Sequence, residues 1–289
     1  MCLNANPDLF QESYKDLIVE INSLSLSIQQ IREEAKRFFQ NNFTTDFKAL
    51  LLKSYLYSSI NIVEDIAFLL KRSRRSSLEG MARMFFESYA EYYQIASKYC
   101  FDTEIEKEIN YVYFREIDNQ RCAYERIKKS AASSDLDDVK GSLKQDIKLL
   151  IQKRFANELS GLKEETDDAF LGSIKVVLQR IKNNSALIDN KRISLEKQSR
   201  LVMTAINANP IWGQSGCSSN ELIYGILSDS IHAHLSPTIW HSQENGVFNT
   251  NTLDPTTTSL VALLILSLDH MRDLLVGISI TSEEYITRG

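Results

Sequence analysis

The amino-acid sequence predicts an all-α protein: a multi-helix bundle of long antiparallel helices, with one irregular segment containing Pro, Trp and His near residues 207–255. Three observations predict it. The 289 residues include only 10 glycines and 4 prolines, under 5% together, where average usage is about 12%. The prolines stand at 7, 210, 237 and 255, so positions 8–209 contain none. Sandwiches, barrels and doubly wound sheets need frequent turn chemistry, which this chain lacks. Apolar residues recur instead at steps of three and four, the helical period. With 43% hydrophobic and 25% charged residues, the chain is globular and is expected to form a single helical domain over 1–289.

The elements follow in order. Residues 8–41 read as one amphipathic helix, because Leu17, Ile21, Leu24, Ile28, Ile31, Ala35 and Phe38 make a single stripe. Thr44 or Thr45 caps a second helix running to about Leu70, which closes on the basic turn KRSRR at 71–75. Ser76 and Glu79 have capping-box spacing and open a third helix to about Tyr99. Asp102 or Thr103 caps a fourth and Ser134 or Asp135 a fifth, continuing to about 130 and 160. Residues 125–170 are the part richest in Lys, Glu and Asp, the composition of a protruding helical hairpin. Helices are expected next at about 167–183, 193–207 and 219–233, and an apolar one at about 256–279.

Charge and cysteine usage narrow the class. No Lys or Arg occurs from 201 to 271, a stretch that holds Glu221, Asp229, Glu244, Asp254 and Asp269. Those five acids account for the net charge of −5. Holding phosphate takes Lys or Arg, so an anion site in this stretch must borrow its cations from elsewhere. The longest apolar run, LVALLILSL at 260–268, is too short to span a bilayer, and Asp269, Arg272 and Asp273 follow it. It reads as a buried core helix, and no membrane association is expected. The first residues, MCLNANPDLFQES, lack the basic and then apolar pattern of a secretory leader. Cysteines 2, 100, 122 and 217 have no metal-binding spacing and read as reduced thiols of a cytoplasmic protein.

Two polar constellations stand out. On the third helix Arg83 and Glu87 lie four apart, hence on one face, amid Met81, Met84, Phe85, Phe86, Tyr89, Tyr92 and Tyr93. They are either a surface ion pair or a partly buried, oriented cation. On the helix expected at 219–233, Tyr224, Ser228 and His232 step by four along one face toward Pro237. The dipole at that helix end favours a protonated imidazole, a proton donor near neutral pH. The alternative is that His232 and Ser228 merely bond the carbonyls of their own helix.

Nucleotide-loop, nucleophile-elbow and HExxH signatures are absent, and no cofactor is expected. A Ser228–His232 hydrolase is disfavoured, since groups four apart on a helix leave no oxyanion hole between them. His232, His234 and His241 form a metal-ligand set only if the helix frays before Pro237. Arg74 and Arg75, next to the start of the third helix, are candidate phosphate ligands where the helix end presents unpaired N–H groups.

An RxxxE segment on an aromatic-rich helix, followed by a YxxxSxxxH helix, resembles a poorly characterised family of prokaryotic all-helical domains. The matching residues are Arg83, Glu87, Tyr224, Ser228 and His232. The resemblance implies a cytosolic bacterial protein with a role in defence against mobile elements. A more distant similarity is to the HEPN helical ribonucleases, which cut RNA with Arg and His and without metal. That family sets the Arg four to six residues before the His, whereas no arginine precedes His232 within thirty residues here. The two expectations are therefore a metal-independent effector acting on RNA or another phosphodiester and a non-enzymatic helical binding or scaffold protein. In the first, Arg83 binds phosphate, Glu87 holds Arg83, His232 moves a proton, and Ser228 and Tyr224 orient. RNA or a nucleotide, a partner protein or a second copy of the chain are the partners in view.

Overall fold

The computed structural model describes residues 7–41, 46–71, 75–130, 136–189 and 255–288. No strand occurs among the described residues, and the predicted all-α class holds. The helices are α1 (Pro7–Asn41), α2 (Phe47–Lys71), α3 (Arg75–Lys98), α4 (Asp102–Lys128), α5 (Asp137–Arg154), a 3-10 helix (Ala156–Gly161), α6 (Asp167–Asn183) and α7 (Pro255–Arg288). They group into two compact units: α1, α2, α3 and α7 belong to one, and Phe101–Arg192 is the other.

In the first unit the expected α1 stripe is the buried one: Ile21, Leu24, Ile28, Ile31, Ala35 and Phe38 are all within 6% exposure. Proline opens both α1 and α7, where its fixed φ suits the helix and its missing N–H is no loss. At the start of α2, Asp46 Oδ1 accepts from the Lys48 amide at 3.2 Å and serves as cap. Thr44 and Thr45, the expected caps, lie outside the described residues. Arg32 meets Glu64, and Phe39 meets Tyr57, so numbering rises on α1 as it falls on α2 and the pair is antiparallel. Ser59 Oγ donates to Ser88 Oγ at 3.0 Å, from mid-α2 to mid-α3 across a three-residue connection, which makes that pair antiparallel too. The apolar run of α7 is buried, as its sequence predicts. No described helix is long and apolar enough to cross a membrane. α7 passes its expected end at 279, and no proline follows to stop it.

The second unit has its own core of Ile117, Tyr124, Ile147, Ile151, Phe155, Phe170, Ile174, Val177 and Ile181. Residues 125–170 supply Ile147, Ile151, Phe155 and Phe170 to it. Two expected boundaries are corrected. Phe101, extended at φ −111°, occupies the N-cap of α4 with no side-chain bond, while Asp102 and Glu104 sit in the first turn, where the dipole favours acids. α5 ends at Arg154 rather than near 160, because the next residue, Phe155, turns into the core and the chain tightens into the 3-10 helix. Ser134 and Asp135 lie outside the described residues. α6 spans its expected range, and Thr166 caps it by accepting from the Ala169 amide at 3.1 Å. The helices expected at 193–207 and 219–233 lie outside the described residues.

Candidate functional site

Helix α3 brings Arg83 and Glu87 together as their spacing predicts. Arg83 Nε donates to Glu87 Oε1 at 3.0 Å, and the two side chains are 22% and 32% exposed. The pair is neither solvated on all sides nor sealed in the core, so it orients the guanidinium at a partly open flank of the helix. Tyr224, Ser228, His232, His234, His241 and Arg74 lie outside the described residues, as does the side chain of Arg75, although its backbone opens α3.

Two residues further along α3 the direction turns by about 200°, so Tyr89 points away from Glu87. It faces α7, where its hydroxyl bonds His270 Nδ1. Tyr92 Oη donates to the Met271 carbonyl at 2.9 Å, and the Tyr93 ring lies 5.8 Å from the imidazole. On another side of α3, Ser88 takes part in the Ser59 bond to α2. Three hydroxyls thus tie α3 to the helices on either side of it.

Electrostatics make the Tyr89–His270 contact a neutral one. Burial pushes the Tyr89 phenol well above its ordinary 10, with Tyr92 and Tyr93 pushing the same way. Burial pushes His270 below 6.5, opposed by the carboxylate of Asp273. At pH 7 both groups are neutral, and the phenol and Nδ1 share one hydrogen bond whose direction follows the imidazole tautomer. Burial also raises the Asp269 carboxyl, against the pull of Arg272. Arg272 in turn donates to Gln30 at 2.9 Å and joins α7 to α1.

Sequence reasoning passed over His270, the one histidine outside the 210–255 window, and treated Tyr89 and Tyr92 as mere apolar surroundings. The available signal was the group Asp269, His270, Arg272 and Asp273 interrupting an otherwise apolar helix. No group of three His, Cys, Asp or Glu positioned to hold a metal occurs among the described residues. Cys100 and Cys122 are half-buried thiols outside any disulfide. No known protein family, curated protein or solved structure matches this chain.

Proposed function

We propose that the chain is a non-enzymatic helical binding or scaffold protein, in which the polar residues of α3 fix one packing of the helices. The observation that carries this reading is the pairing of the buried tyrosines across the α3–α7 interface, Tyr92 with the Met271 carbonyl and Tyr89 with His270. A buried hydroxyl left unpaired costs about 1–3 kcal/mol, so satisfied pairs discriminate one packing from its alternatives. Arg83 finds its carboxylate on its own helix, which suits an orienting role. On this reading Arg83→Ala and His232→Ala lower the melting temperature by several degrees and leave added RNA intact. A lost cellular phenotype with unchanged melting would overturn it.

A second reading keeps the same residues as a metal-independent, phosphodiester-acting effector of the defence or toxin type. What favours it is that Glu87 grips Arg83 through Nε at a partly open flank, the arrangement an anion-binding arginine needs. Here Arg83 binds phosphate, His232 transfers the proton, and Ser228 and Tyr224 orient. Total-RNA analysis of cells expressing wild type or His232→Ala separates the readings: degradation by wild type alone selects the effector.

A further inference from the structure

An open groove of about 470 Å³ runs between α1 and α2, inside the size range of ligand sites. Ile28 and Ala67 form its buried floor, and Phe68, 52% exposed, stands at its edge. Arg32, Lys36 and Lys71 line it, in a chain whose net charge is −5. The two acids of the groove are already engaged: Glu64 by Arg32 at 2.6 Å, and Glu33 by the Gln29 amide at 3.1 Å. Lys36 and Lys71 have no ion-pair partner among the described residues. Because Arg32 sits opposite Glu64 in an antiparallel pair, Lys71 lies toward Ser25 and Lys36 toward the other end. The α1 wall from Ser25 to Lys36 is about 16 Å long, three helical turns.

We propose that this groove docks an amphipathic acidic helix of a partner protein. Two antiparallel helices leave a furrow whose natural occupant is a third helix, anchored by residues one turn apart. The apolar floor and Phe68 take the anchors, and a lysine near each end takes a carboxylate. Glu33 and Glu64 in the same walls disfavour a polyphosphate backbone, which needs several uncompensated cations along its length. The proposal rests on the reading of the chain as a binding protein and names the partner class and the surface.

The test uses the full chain and two fluorescein-labelled three-turn peptides. One has Leu at i, i+4 and i+7 with Glu at both ends; in the other Lys replaces each Glu. Fluorescence anisotropy is expected to give at least tenfold tighter binding for the acidic peptide. The double variant Lys36→Glu/Lys71→Glu reverses that preference, and Phe68→Ala weakens both peptides. All three side chains are exposed, so circular dichroism should show an intact fold in each variant. Equal affinity for the two peptides, or a preference that the double variant does not move, overturns the proposal. So does AMP binding tightly enough to displace the peptide, which makes the groove a small-anion site. Dimerisation of the chain abolished by Phe68→Glu overturns it in favour of a second copy. Failure of these arms leaves the melting comparison for Arg83→Ala standing, whereas RNA degradation that depends on His232 overturns the binding-protein reading by a separate measurement.

Discussion

The interfaces around α3 and those of the second unit hold their helices together by different chemistry. Where α3 meets α7 and α2, the polar ties are neutral hydroxyls inside an apolar core: Tyr89 with His270, Tyr92 with the Met271 carbonyl, and Ser59 with Ser88. Where α4, α5 and α6 meet, many ties are ion pairs at the rim, including Lys128 with Asp168, Lys148 with Glu164, Arg154 with Glu106 and Arg180 with Glu158. Part-buried bonds accompany them, among them those from the Tyr124 hydroxyl to Asp167 at 2.6 Å and from Arg154 Nε to Asn110 at 3.0 Å. The contrast teaches where specificity sits. A buried hydroxyl has no water to fall back on, so its partner dictates the packing. A rim charge is solvated either way, so it contributes little to stability and permits small shifts.

The largest expected effect bears on what the two regions share, a close-packed core. Phe85→Ala in α3 and Phe170→Ala in α6 each remove a fully buried ring and are expected to cost about 3–5 kcal/mol in chemical denaturation. Hydrogen exchange should show protection lost first in the helices around each cavity. Next in size is the hydroxyl network. Tyr92→Phe removes the phenol's bond to the Met271 carbonyl, which keeps its partner within the helix, and is expected to cost about 0.5–1.5 kcal/mol with the ring still packed. A cost near zero would mean that water replaces the hydroxyl and that the interface is not as dry as its burial implies.

Smaller still is the pH response of the same interface. Burial makes His270 bind its proton less readily in the fold than in the unfolded chain. Above pH 6.5 the full contribution is present; as the pH falls below 6.5 the unfolded chain takes up its proton first, and stability falls. Asp269, raised by burial, acts in the opposite direction in a window that opens upward from 3.8. Tyr89 limits the other end, since above pH 10 the unfolded chain loses the phenol proton first and stability falls again. Tyr93 of α3 and Asp273 of α7 also face the imidazole. Thermal melts from pH 8 to 5 should therefore show an acid-side decline that His270→Asn flattens.

What was legible in the sequence follows the range of the interaction. The α1 stripe and the Arg83–Glu87 pair depend on residues three and four apart, and the structure has both as read. The start of α4 was misread because Asp102 and Thr103 have capping chemistry, yet Phe101 takes the cap position without any side-chain bond. The end of α5 was misread because the core beneath Phe155, not a local breaker, turns the chain. The Tyr89–His270 contact joins residues 181 positions apart, and no local period announces it. Only the oddity of Asp269, His270, Arg272 and Asp273 on an apolar helix pointed there.

The smallest expected effect is the sharpest check on the contrast between the units. Arg180 reaches Glu158 at 3.5 Å with its side chain 60% exposed, so Arg180→Gln is expected to cost about 0.2–1 kcal/mol at low salt. In 1 M NaCl the screening length falls to about 3 Å, and the cost should shrink toward zero. Tyr92→Phe involves no charge, so its cost should keep the same value from low to high salt. Paired denaturation curves at the two salt concentrations measure both. If salt erodes the Tyr92→Phe cost, charge reaches into the α3–α7 interface. If the Arg180→Gln cost survives salt, the rim of the second unit is drier than its exposure implies, and its ion pairs select a packing as the buried hydroxyls do.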